Sequence, residues 1–392
     1  MREALAGRSD LARVWVLAVG KAAGAMTRGA MDALGPQLER ALVVSRPGHF
    51  DPDVESDPRV RCIAGGHPLP GEGSLAAGAA ALDMARAAEP GQPLLLLVSG
   101  GASSLIEAPP AGVSLDELRH VTDWALAAGL PIERLNALRR RLSLVKDGRL
   151  LARLSRCRVE GFFISDVPGD DPGVVGSGLL ASAPQPFDAT GLPAWLGALL
   201  ELSAPPPAGV PGVPVRCVGR LEEAIEAAVR LARDSGVRVE RLPGRLEGDA
   251  IAAAAALGSH LARMPPGLLV AGGETTVRLP AQPGRGGRNQ HLALAVARSI
   301  AGRDDLLLLC AGTDGSDGNS DDAGALVDGG TTERGSDVGV DPADCLARAD
   351  SGRFLEASGD LVHTGPTGTN VGDLLLAYRC DAVHSQGPGP SM

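Results

Sequence analysis

Apolar residues along this chain gather into short unbroken runs, and glycine follows each run. Four segments share the pattern: VWVLAVGKAAGAM from Val14, LLLLVSGGASS from Leu94, LLVAGGETT from Leu268 and LLLLCAGTDGSDG from Leu306. Each reads as a strand, then a glycine-rich turn, then a helix of small residues. Runs without polar alternation suit strands covered on both faces, so they predict a parallel or mixed sheet between helices. A further strand is expected at Gly161–Ile164. Helical periodicity alternates with these runs at Leu75–Ala88, Leu115–Ala128, Trp195–Leu202, Leu221–Asp234 and Asn289–Ile300. The predicted class is α/β. The proline-dense stretch SAPPPAGVPGVP at 203–214 reads as a stiff, exposed connector, dividing the chain into domains of residues 1–203 and 215–392.

Charge removes several functions from consideration. With 37 basic against 47 acidic residues the net charge is −10, which gives no basic face for nucleic acid or an anionic membrane. Aromatics are 2% of the chain, too few for a base-stacking platform. The six cysteines lie far apart with no C-x-x-C, as expected for reduced thiols in a cytoplasmic protein. No apolar run approaches the length of a membrane span, so a soluble chain is expected.

Among 37 basic residues only Lys21 and Lys146 are lysines, so each is either a candidate for a site that needs a compact ammonium or a chance survivor of a bias toward arginine. Lys21 directly follows the first strand and opens the next helix. A cation there opposes the helix dipole unless an anion binds at the same turn. Arg285 and Arg288 stand similarly before the helix at Asn289. The turn VSGGASS, with Ser99, Gly100, Gly101, Ala102, Ser103 and Ser104, is either a tight turn or a phosphate cradle; no Walker A sequence occurs. Two acidic clusters follow strands: SDVPGDDPG with Asp166, and GTDGSDGNSDD with Asp314, Asp317, Asp321 and Asp322. Carboxylates at strand ends suit Mg²⁺ or proton transfer, and they also suit helix capping. For His67, His291 and His363 a satisfied loop or core histidine is the default. The loop HTGPTGTNVGD places Thr364, Thr367, Thr369 and Asn370 among glycines, as donors to an oxygen-rich ligand or a cap.

Taken together, VGKAAGAM, GGHPLPGEGS, SGGASSL, LSLVKDGRL, ISDVPGDDPG, AGGETTVRLPAQPGRGGRNQ, GTDGSDGNSDDAGALVDG and GDLVHTGPTGTNV resemble, in order, the glycerate 2-kinase family with its C-terminal MOFRL domain. The resemblance implies two α/β domains, a larger Rossmann-like parallel sheet and a smaller mixed sheet, with the active site in a cleft between them. It implies an ATP- and Mg²⁺-dependent transfer to the 2-hydroxyl of D-glycerate by a monomer or homodimer. Carried over by position, Lys21, Arg288 and Asp166 are catalytic and Ser99–Ser104 hold nucleotide. Asp166 and Asp314 bind metal, while His67, Glu274 and Asn289 face substrate. Lys21 and Arg288 are expected to hold one triphosphate between them. The chain departs from the family pattern at Arg140-Arg141, at Gly176-Ser177-Gly178-Leu179-Leu180 and at Gly352.

Two other classes compete. A nicotinamide-dependent hydroxypyruvate reductase needs G-x-G-x-x-G, and the first turn reads Gly20-Lys21-Ala22-Ala23-Gly24. A non-catalytic metabolite-binding protein would keep the fold and explain the departures.

Overall fold

In this computed structural model the described residues are 1–380, except Ser9, 183–187, 206–209 and Pro211. Five residues of the expected connector therefore lie outside the description. Two compact units emerge: Met1–Arg220 with Gly368–Val371, and Leu221–Thr367 with the residues from Gly372 onward.

In the first unit the strands are β1 (Val14–Val19), β2 (Leu38–Ser45), β3 (Val60–Ala64), β4 (Pro93–Val98), β5 (Arg158–Ile164) and β6 (Val215–Gly219). They form one sheet in the order β3-β2-β1-β4-β5-β6, and every pairing is parallel. All six residues of β1 are buried, as its unbroken apolar run requires. Helix Glu72–Ala87 packs Ala77, Ala80, Ala81 and Met84 into the core with Leu17, Leu94 and Leu96. Small side chains let that helix approach the sheet closely. A separate apolar cluster joins helices Leu115–Ala127, Ile132–Arg141 and Ala194–Glu201 through Leu118, Leu135, Leu138, Leu196 and Leu200.

The strand order reverses direction between β1 and β4. In open α/β sheets ligands bind outside the carboxyl ends of the strands at such a reversal. The turns after β1 and β4 both end there.

The second unit contains β7 (Val239–Arg241), β8 (Leu246–Asp249), β9 (Gly267–Thr276), β10 (Leu306–Gly312), β11 (Gly324–Asp328), β12 (Leu361–Val362) and β13 (Asp373–Arg379). Their order is β12-β11-β10-β13-β9-β7, with β8 also on β9. The ladder from β12 to β9 is antiparallel, and β7 and β8 run parallel to β9. Helices Ala250–Leu261 and Arg288–Ser299 pack into one apolar cluster with Leu269, Leu308 and Leu375. Helix Leu221–Asp234 packs into another with Val270.

Two of the four strand–turn–helix expectations are corrected here. Gly272 and Gly273 lie inside β9 rather than in a turn. A Cβ on Gly273 would stand 2.1 Å from the Leu246 carbonyl oxygen, so glycine serves the close passage of β8. After β10 the chain enters a loop and then β11, with no helix following.

Candidate active site

Lys21 sits in the turn after β1, and this turn is locked to the one after β4. The Lys21 amide donates to the Gly100 carbonyl at 2.9 Å, and the Ala22 amide donates to Ser99 Oγ at 3.0 Å. Gly20 has φ +132°, and a Cβ there would lie 2.2 Å from Ser99 Oγ. Ser99 is thus fully buried and holds the two turns together, which corrects its assignment as a ligand contact. Ala102 is likewise sealed in the core. Ser104 is nearly buried and donates to the Gly101 carbonyl at 3.3 Å. Ser103, half-buried, shares a 2.8 Å hydrogen bond with Ser177.

Gly100 and Gly101 mark where side chains converge. A Cβ on Gly101, whose φ is +82°, would meet Lys21 Cγ at 3.3 Å and the His67 ring at 3.2 Å. One on Gly100 would overlap Asp166 Oδ2 at 1.9 Å and Asn370 Nδ2 at 2.0 Å. Asn370 donates to Asp166 Oδ2 at 3.0 Å. Lys21, His67, Gly100, Gly101 and Asp166 are therefore neighbours at the β1–β4 reversal, and Asn370 holds the carboxylate. The sequence pattern left Asn370 as a donor without a partner, because 204 positions separate it from Asp166.

The second unit gathers Arg288, Glu274, Asn289 and Asp314. Arg288 opens helix Arg288–Ser299; its Nε donates to Asp373 Oδ2 at 2.6 Å, and its Nη2 bonds Glu274. Burial opposes the guanidinium charge, but the Asp373 hydrogen bond and the charges of Asp373, Glu274 and Asp317 outweigh it and raise its pKa. Arg288 is thus paired with carboxylates of its own unit.

A Cβ on Gly312 would lie 3.3 Å from Asp314 Oδ1 and 3.6 Å from Asp373 Oδ1, so these acids adjoin. Asp314 Oδ1 accepts from the Ser316 amide at 2.9 Å and its hydroxyl at 3.2 Å, the turn-capping use weighed above. Asn289 is buried, and its side chain donates to Asp317 Oδ1 at 3.2 Å. Asp317 also accepts from the Gln290 amide at 2.8 Å, and burial pushes its carboxyl up to about 7. Periodicity did not single out Asp373 or the capping role of Asp317. Among the described residues no group of three His, Cys, Asp or Glu is arranged to hold a metal ion.

His291 is buried, with Nδ1 3.0 Å from Ser351 Oγ, and burial lowers its pKa, the satisfied core histidine expected. Lys146 is buried against Glu107.

These features define a two-unit α/β protein, with one unit carrying the strand order of dinucleotide-binding folds. The description "Domain of unknown function (DUF4147)" matches residues 2–191, and the MOFRL family matches residues 267–373. The D-glycerate 2-kinase of Thermotoga maritima is 34% identical over 382 residues, spanning 94% of this chain and 91% of its own. An Agrobacterium vitis protein labelled hydroxypyruvate reductase is 36% identical, spanning 92% of this chain and 86% of its own. The crystal structure of the Thermotoga maritima glycerate kinase superposes with a TM-score of 0.79 at 33% identity, over 94% of this chain and 92% of that one. The chain belongs to the glycerate 2-kinase family, with DUF4147 and MOFRL domains.

Proposed function

We propose that this protein transfers the γ-phosphoryl group of ATP to the 2-hydroxyl of D-glycerate, giving 2-phosphoglycerate and ADP. The observation that carries the reading is the meeting of Lys21, Gly101 and Asp166 at the carboxyl ends of β1 and β4. Phosphoryl transfer needs positioning and charge neutralisation more than covalent chemistry. Lys21 supplies an ammonium to the phosphates. Gly101, with φ +82°, bends the backbone beside Lys21 and His67. Asp166, oriented by Asn370, takes the proton of the attacking hydroxyl as the new oxygen–phosphorus bond forms and the bond to the ADP oxygen breaks.

Mg²⁺ usually takes one or two carboxylates and fills its shell with water and substrate phosphates. Asp166 would hold the ion, which when bound neutralises phosphate charge.

A coupled assay with D-glycerate, ATP and Mg²⁺, with the product identified by phosphorus NMR, tests the reading. Lys21→Ala is expected to lower kcat by about 10²–10³, the scale of one removed charge-stabilising donor. Wild-type protein that forms no ADP refutes the kinase. NADH consumption with hydroxypyruvate would install the reductase in its place.

A further inference from the structure

The sheet of the second unit is covered unequally on its two faces. On one face Leu308, Cys310, Ala325, Val327 and Leu375 are sealed in the cluster with helices Ala250–Leu261 and Arg288–Ser299. On the other, helix Leu221–Asp234 packs on Leu268 and Val270 of β9 and on Leu374 and Leu376 of β13. Strand register continues this second face onto an open half. Tyr378 stands opposite Leu307, Leu309 opposite Leu326, and Val362 opposite Gly324. Side chains two apart on a strand share a face, so these apolar groups form one row across β13, β10, β11 and β12. Among the described residues nothing seals them: Leu307 is 44% exposed, Leu326 45% and Tyr378 41%. Single apolar residues on a surface need no explanation, whereas a contiguous patch of a few hundred Å² marks an interaction site.

The helix adds an apolar wall to this floor. Its Glu222 pairs with Arg241 of β7, so that flank faces the β7 side of the sheet. At about 100° per residue Leu231 lies on the opposite flank, toward β10, and it is 71% exposed. Asp328, opposite Leu307, ends the row, and it is already paired with Arg334 at 2.9 Å. The face therefore offers apolar area rather than a charge that would select an oppositely charged partner. The sequence after Cys380, DAVHSQGPGPSM, brings only Ala382, Val383 and Met392 besides its prolines, too little apolar surface to cover the row.

We propose that the open half of this sheet is a self-association surface that takes the same face of a second copy of this chain. A two-fold axis between two such faces buries one apolar row against the other, and neither copy brings a charge that would be left unpaired. Stacked sheets lie about 10 Å apart, which is also about the width of a helix. The second sheet thus seats in the layer that helix Leu221–Asp234 occupies, and Leu231 meets the β12 margin of the other copy. Such a contact buries on the order of 1,000 Å² in total, the small end of specific interfaces, so a dimer that dissociates in the micromolar range is expected. The net charge of −10 makes the copies repel each other, so the dimer strengthens as salt rises.

Sedimentation equilibrium of the full chain from about 1 to about 100 µM, a range that brackets this affinity, tests the proposal at low and high salt. Wild type is expected to pass from monomer to dimer, at lower concentration when salt is high. Leu307→Glu and Leu326→Glu set like charges on both sides of the contact, at positions already open to water. Each should raise the dissociation constant by about tenfold or more. Leu126→Glu, on the exposed side of helix Leu115–Ala127, should match wild type. Hydroxyl-radical footprinting of the wild type gives a readout that no variant's folding affects. Tyr378 is the chain's one tyrosine, and its oxidation should fall as concentration rises. A wild type that stays monomeric across the range overturns the proposal. So does a dimer that both glutamate variants keep, that salt dissociates, or that leaves Tyr378 equally reactive at every concentration. Monomeric protein in which phosphatidylcholine vesicles protect Tyr378 would assign the face to a lipid surface instead.

Discussion

Asp317 caps helix Arg288–Ser299 from a position with almost no access to water, and its carboxyl is raised to about 7 by that burial. In the unfolded chain an aspartate titrates near 4 (about 3.9), so between these values the folded state holds its proton more tightly. Stability from this group is therefore fully present below about pH 4 and declines by about 1.4 kcal/mol per pH unit as the pH rises toward 7. Urea melts of wild type and Asp317→Asn across pH 4.5–7.5 (a window of about three units) should show this decline in the wild type and a flatter slope in the variant. Gly101 gives a second residue-scale prediction. Its positive φ and the packing of Lys21 and His67 leave little room for a methyl group. Gly101→Ala should cut turnover by about tenfold or more while costing about 1 kcal/mol of stability, read by kinetics and denaturation together. Lys21, Asp166 and this glycine pair were legible in the sequence because a rare lysine, a strand-end acid and a double glycine each break the local pattern. Glu107 and Asp373 were not. Their partners lie 39 and 85 positions away, and no local pattern encodes such a pairing.

The turns after β1 and β4 act as one part, because backbone bonds from Lys21 to Gly100 and from Ser99 to Val19 tie them together. Gly20 is where they touch most closely. Gly20→Ala would push a methyl group into Ser99 at a backbone angle that side chains rarely adopt, so a loss of about 3 kcal/mol or more is expected in chemical denaturation. Strands buried on both faces were readable as apolar runs, and helix Leu221–Asp234 was readable from its period. The strand–turn–helix reading failed for β9 and β10. A double glycine within an apolar run looks the same whether the chain turns there or another strand crosses it. In β9 the crossing strand is β8, and its approach within a Cβ radius of Gly273 is invisible along the chain.

At the scale of the whole molecule, the net charge of −10 governs encounters with polyanions. Fluorescence anisotropy with labelled duplex DNA should show no binding that weakens as salt rises; a salt-dependent isotherm in the micromolar range would contradict the charge argument. The family assignment covers nearly the full chain, so the two-unit architecture belongs to the whole sequence rather than to one segment. Four late residues, Gly368–Val371, belong to the first unit, and they carry Asn370 to Asp166. By itself the sequence determined the α/β class, the principal buried strands and the residues able to do charge chemistry, because periodicity and residue type are local properties. Tertiary structure alone decided that Asn370 holds Asp166, that Arg288 is paired with Glu274 and Asp373, and that Lys146 is buried against Glu107. Each pairing depends on which distant strands and helices pack side by side, and that follows from burial summed over the whole core.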